Sequence, residues 1–219
     1  MPCSVICISH ATGSGGHEVG RLVAERLGFL QLDEEIVARA AARRGLSPAD
    51  VADEERRKSF AARILGSISE SSSNAAALGG AVPFLLGDEP SNSDIRVLIR
   101  EAIEQAAARG DVVITAHAAS HALDPGANIL RVLVTASPRT RVRRVSEQAG
   151  IDIAGAERTI KAADAARREY LKRFYDVATE LPTHYDLVVN TDGFSVEEAA
   201  ALVAQVAVGR STLRPADQT

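Results

Sequence analysis

The chain has no tryptophan, and its three tyrosines and five phenylalanines make up only 4% of 219 residues. Aromatic platforms that stack single-stranded bases are therefore not expected. A basic excess is also missing. Twenty-five Lys and Arg stand against 29 Asp and Glu, a formal net charge of −4, which argues against general nucleic-acid binding while leaving room for local basic patches. No apolar run approaches the roughly 18 residues that mark a membrane span. No charged N-terminal region precedes an apolar core either, so the chain reads as cytoplasmic, with no membrane partner. Cysteine is almost absent. Cys3 and Cys7 fall on what reads as one buried strand, at an even spacing that puts them on one face. With His10 and His17 at no recognisable ligand spacing, they read as small packing groups in a reducing compartment.

What is present is a chain of 46% apolar and 25% charged residues, enough for a sizeable core in one α/β domain. Ser4–Ser9 is a short β-branched run that ends at a glycine-rich turn. Val19, Leu22, Val23 and Leu27 follow at helical spacing, with Gly28 as the stop, and Phe29–Leu32 reads as a second strand. Together these make a βαβ unit. Helices are expected from Asp33 to about Arg44, over 47–66, over Ser93–Arg109, from Ser137-Pro138 to Ala149, over Ile153–Tyr175 and over Val196–Val208. Three further strands are expected at Val112–Ala116, Ile129–Val134 and Leu187–Asn190. The tract 67–92 is small and polar, a loop or flap in which Phe84–Leu86 serve as a packing anchor or a ligand cover. Five short apolar strands separated by helices predict a five-stranded parallel sheet covered on both faces.

The strongest chemical signal lies between the first strand and the first helix, in Thr12-Gly13-Ser14-Gly15-Gly16-His17. Glycines there let the backbone turn tightly and bring several N–H groups to one point, and the helix N-terminus adds partial positive charge. A plain flexible turn needs fewer glycines and hydroxyls. The phosphate-loop signature ends Gly-Lys-Ser/Thr, with the Lys on the β/γ-phosphates and the hydroxyl on Mg²⁺. Here Gly15 is followed by Gly16 and His17. His17 is either a phosphate donor or a surface residue at a helix start.

Four stretches, in order, resemble the cytidylate kinase-like family, a branch of the nucleoside monophosphate kinases. Ser9-His10-Ala11-Thr12-Gly13-Ser14-Gly15-Gly16-His17-Glu18-Val19 is similar to its Ser-Arg-x-x-Gly-Ser-Gly-Gly-x-Glu-Ile. Leu32-Asp33-Glu34-Glu35-Ile36 looks like its Tyr-Asp-x-x-Ile. The others are the helix bearing Lys161, Asp164, Arg167, Arg168 and Tyr170, and the run Tyr185–Thr191. The resemblance implies one P-loop kinase-like domain over 1–219, with a helical acceptor-binding region at 36–92 and a lid at 137–176. It implies ATP and Mg²⁺ as cofactors and nucleotides as partners. Asp33 then stands near acceptor and metal, and Asp164 and Arg167 near the acceptor or the transferred phosphate, with Arg168 beside them. Where relatives carry Gly-Arg after the third strand, this chain has Ala116-His117, and no acidic residue ends that strand. His117 either takes a weaker version of the arginine's role or packs under the loop.

The basic cluster stands without the family. Arg139, Arg141, Arg143 and Arg144 open one helix, and Lys161, Asp164, Arg168 and Lys172 share a face of the next. The guanidinium fork suits phosphate, so Arg141, Arg144, Arg167 and Arg168 are the candidate catalytic cations; a solvated, charge-laced helix is the plainer reading of any one of them. Helix capping and ligand binding are both open to Asp33. His121 and His184 are expected on loops or at the surface, and Asp53–Lys58 as paired charge on a solvated helix. The expected function is phosphoryl transfer from ATP to a pyrimidine nucleoside monophosphate. The alternatives are an inactive nucleotide-binding regulator and a kinase for another small acceptor. The apolar face Ala199–Val208 suits either a homodimer contact or the core.

Overall fold

The computed structural model describes residues 3–33, 92–115, 118–126 and 128–210. The expected helices between 34 and 66, the loop with Phe84–Leu86, the charged run at 53–58, and His117 lie outside them.

Strand β1 (Val5–His10) leads through the glycine loop into helix α1 (Gly16–Leu27) and strand β2 (Leu30–Leu32). After the undescribed segment come α2 (Asn92–Arg109), β3 (Val112–Ile114), the short α3 (Ala119–Ala122) and β4 (Ile129–Thr135). Then follow α4 (Pro138–Ala149), α5 (Ile153–Tyr175), a 3-10 turn at Pro182–His184, β5 (Leu187–Asn190) and α6 (Val196–Gly209). The expected strands and the helices α1, α2, α4, α5 and α6 form within a few residues of their expected bounds, whereas α3 and the 3-10 turn were not expected. Ser137, Asp152 and Ser195 accept from backbone N–H groups at the starts of α4, α5 and α6, and Gly28 closes α1 with φ 69°.

All strand pairs are parallel, in the order β2-β3-β1-β4-β5. β1 is therefore central and buried on both sides. Ile6 and Ile8 point to the face covered by α1 and α6, where Val19, Val23, Ala199, Ala200 and Val203 complete a core. Val5 and Cys7 point to the opposite face, with Ile103 of α2 and Ala119 and Ala122 of α3. Ala199, Ala200, Val203, Ala204 and Ala207 of α6 are buried in the core, while Leu202 and Val208 stay exposed.

Two expectations need correction. Cys3 and Cys7 do not share a face. Cys3 precedes β1 and joins the α1/α6 core, because strand alternation does not reach it, whereas Cys7 joins the other cluster. Both are free, and burial pushes the Cys7 thiol up to about 12. His121 is not a surface residue. It lies in α3 with its side chain only 9% exposed, its ring against Tyr175, Tyr185 and His184. His184 itself is half-buried in the 3-10 turn.

Candidate functional site

The glycine loop leaves the carboxyl end of the central strand, beside the point where the chain order turns outward on either side. That crevice is where open α/β sheets bind ligands. Gly13 and Gly15 both have φ +81°, a conformation that costs a side-chain-bearing residue. Gly13 has a second constraint, since a Cβ there would lie 2.8 Å from the Arg141 carbonyl oxygen.

The loop's carbonyls are tied back from outside it. The Arg141 Nε donates to the Thr12 carbonyl at 2.6 Å, and the same guanidinium makes a two-pronged bond to Asp164 at 3.0 and 2.6 Å. Arg144 Nη1 donates to the Ser14 carbonyl at 3.2 Å and to the Thr191 hydroxyl at 2.8 Å, while its Nη2 donates to the Thr191 carbonyl. The Thr191 hydroxyl in turn donates to the Ser14 carbonyl at 2.8 Å. The Val196 side chain closes in behind Gly15, 3.1 Å from where a Cβ would be. The Thr12 and Ser14 carbonyls are thus engaged from outside the loop, and within it the Ser14 N–H is taken up by the Ala11 carbonyl at 3.0 Å. The α1 N-terminus has no side-chain cap. Its first N–H groups therefore lack an internal acceptor, as an anion site requires. The Ser14 hydroxyl is buried and has no partner, a second polar group that a phosphate chain nearby would suit.

The predicted residues divide accordingly. Thr12 through Gly16 form this loop, and His17 is exposed in the first turn of α1. Asp33 directly follows β2 and is half-buried. With β3 between β1 and β2, Asp33's strand runs about 10 Å across the sheet from the loop's strand. Arg141 and Asp164 are paired with each other, and Arg144 is engaged with the loop and Thr191. Arg168 is exposed on the wall of a cleft of about 760 Å³ between α4 and α5. Arg139, Arg141, Arg143 and Lys161 join Arg168 there against Glu157 and Asp164, with Val142, Ile153 and Ile160 as the apolar part of the lining. The cleft is net positive and reaches the glycine loop through Arg141. Lys172, expected on the same face, is not part of its lining.

Arg167 sits elsewhere. It makes a two-pronged bond to Glu180 at 3.0 and 2.8 Å, and Glu180 also accepts from the Tyr185 hydroxyl. His121 Nε2 lies 3.3 Å from that hydroxyl. Burial pushes the Glu180 carboxyl up, but His121, Arg167 and Tyr185 outweigh it and hold it well below the usual carboxylate range. Burial and the Glu180 charge push the Tyr185 phenol well above its ordinary value. Sequence reasoning missed Thr191, Glu180 and His121 as partners. The only available signal was that Tyr185 and Thr191 bracket one of the matched motifs. The residue after Tyr185 does other work: Asp186 accepts from the Arg131 N–H at 2.9 Å and from both its and Arg210's guanidinium, pinning the start of β5.

For magnesium, no group of three or more His, Cys, Asp or Glu converges among the described residues. Mg²⁺ in such sites is commonly held by one or two carboxylates together with substrate phosphates and water, a donor set into which Asp33 fits. No helix among the described residues is long and apolar enough to cross a membrane.

The same architecture occurs in known proteins. An uncharacterized protein from Eubacterium ventriosum aligns over 93% of this chain and 98% of its own, with TM-score 0.66 and 17% identity. Shikimate kinase from Acinetobacter baumannii, solved with shikimate, aligns over 96% of both chains with TM-score 0.51 and 12% identity. The fold is thus that of the P-loop kinases. In sequence, the cytidylate kinase of Aeropyrum pernix is 33% identical over 99 residues, 45% of this chain and 57% of that protein. The cytidylate kinase of Methanopyrus kandleri is 28% identical over 120 residues, 51% of this chain and 62% of that protein. The matches thus span less than two thirds of these relatives. The model of the cytidylate kinase-like family, by contrast, matches residues 5–193, from the first residue of β1 to beyond β5, and the chain belongs to that family.

Proposed function

We propose that this protein is a cytoplasmic nucleotide-dependent phosphotransferase that moves a phosphoryl group from ATP to a pyrimidine nucleoside monophosphate. The observation that carries the reading is the glycine loop. Its carbonyls are drawn outward by Arg141, Arg144 and Thr191 onto a scaffold that leaves the uncapped start of α1 open. Such a loop is an anion cradle set before the ligand arrives, and in phosphoryl transfer positioning and charge stabilisation do most of the work. In this reading Gly13–Gly16 hold the donor phosphates, and Asp33 would help place the metal or the acceptor. Arg168, exposed on the cationic cleft, meets the charge that develops on the transferred group. Bound Mg²⁺ supplies charge neutralisation of the phosphate oxygens.

A calorimetric titration and a coupled phosphotransfer assay test this, with ATP-Mg²⁺ against CMP, dCMP, UMP and AMP. Turnover with one pyrimidine monophosphate is the expected result. Retained binding of ATP and CMP without transfer across all acceptors would remove the enzymatic part.

One observation favours a non-catalytic nucleotide-binding protein instead. Arg141 is committed to Asp164 and Thr12, and Arg167 to Glu180, so two of the four candidate cations already have anionic partners. The same assay separates the two readings.

A further inference from the structure

Strand alternation places His10, the last residue of β1, on the same side as Ile6 and Ile8, the side that α1 covers. At the carboxyl end of the strand that side meets the first turn of α1. A Cβ built on Gly16 would lie 2.1 Å from His10 Cβ, 2.6 Å from its Cγ and 3.2 Å from its Cδ2. The His10 Cβ first, and the near edge of its imidazole after it, therefore fill the volume into which any side chain at position 16 would grow. Position 16 is where a phosphate loop carries the lysine that reaches the β/γ-phosphates. The missing lysine and the histidine at the strand end are thus one structural fact: glycine at 16 is the space His10 occupies.

We propose that His10 is the side-chain contact of this loop to the donor's β/γ-phosphates, its imidazole N–H donating where a lysine ammonium stands in other phosphate loops. This rests on the nucleotide reading above. It assigns a role to a residue at the strand end, outside the glycine run, and it makes discrimination by phosphate number a property of that residue. A ring nitrogen is a directional donor, unlike an ammonium with three rotatable ones. Replacing it by a ring of similar outline without donors removes the contact while keeping the loop's packing.

The test is calorimetric binding of ATP, ADP and AMP, each with Mg²⁺, to the full chain. Wild type is compared with His10→Phe, His10→Arg, Gly16→Lys and the exchange His10→Gly/Gly16→Lys. His10→Phe is expected to weaken ATP and ADP roughly tenfold to a hundredfold and AMP much less. His10→Arg keeps the phosphate preference. Gly16→Lys alone fails because the His10 side chain, from its Cβ outward, blocks it, and the exchange, which removes that Cβ, restores ATP binding. Unfolding curves of each variant separate lost contact from lost fold. As a readout needing no variant to bind, the His10 ring resonances of the wild type should move on adding ATP or ADP and stay in place with AMP. An unchanged ATP-to-AMP ratio in His10→Phe, or unmoved ring signals at saturating ATP, overturns the role of His10 while leaving the nucleotide reading intact. Absence of ATP binding by the wild type overturns both.

Discussion

Replacing Thr191 by valine tests whether the glycine loop is held from behind. Thr191 is 2% exposed, and valine has almost the same outline, so packing is kept and the hydroxyl alone is removed. Three contacts end: those of the single hydroxyl proton, shared between the Ser14 carbonyl at 2.8 Å and the Thr135 carbonyl at 3.2 Å, and acceptance from Arg144 at 2.8 Å. No carbonyl is wholly abandoned. Ser14 keeps Arg144, and Thr135 keeps the Thr191 backbone N–H at 2.9 Å. The expected cost is therefore that of weakened hydrogen bonding, about 1–2 kcal/mol. For a chain of this size that lowers Tm by about 2–8 °C. If about 1 kcal/mol of loop order must then be restored on binding, ATP affinity falls roughly fivefold. Urea unfolding and calorimetric titration measure the two quantities. Unchanged stability together with unchanged affinity would refute the claim that this hydroxyl shapes the loop.

Asp164→Asn leaves the buried Arg141 guanidinium without its charged partner and should cost about 1–3 kcal/mol in denaturant unfolding. Gly13→Ala combines a left-handed backbone with a 2.8 Å contact to the Arg141 carbonyl, and should lose about 2 kcal/mol or more together with nucleotide binding. Because Glu180 is held below its unfolded value, its contribution is complete above about pH 4.3 and is lost as pH falls through the folded value. Glu180→Gln should therefore flatten the acid limb of stability against pH. Tyr185 is raised, so its contribution is complete below about pH 10 and lost as pH rises above it, and Tyr185→Phe should flatten the alkaline limb. A wild-type profile with both limbs unchanged in the variants would contradict the buried network.

The β-branched runs at 5–10, 112–114 and 129–135 and the helix start at Ser137-Pro138 were readable because each is a local pattern. So was the glycine loop's place between β1 and α1. What local pattern does not carry is which distant group answers which. Arg141 and Arg144 read as free lid cations, yet their bonds run to the loop's carbonyls, because α4 returns to the carboxyl edge of the sheet beside β1. Arg167 reads like Arg168, one position away, but a single helical step turns it toward Glu180 and leaves Arg168 on the cleft. Cys3 and Cys7 look equivalent by spacing, and differ because β1 begins only at Val5. Gly16 reads as a departure from a motif until His10, six residues earlier, is seen to fill its space.

The bonds that hold the loop join residues far apart in the chain: Thr12 to Arg141 across 129 positions, Ser14 to Arg144 across 130, and Ser14 to Thr191 across 177. During synthesis, at roughly 5–20 residues per second, the glycine run leaves the ribosome on the order of ten seconds or more before Thr191 is made. Central strand and first helix can pair off early, while the cradle between them stays unset. The loop's set geometry is thus a late acquisition of this fold, and a chain stopped short of β5 keeps the loop's letters without its shape.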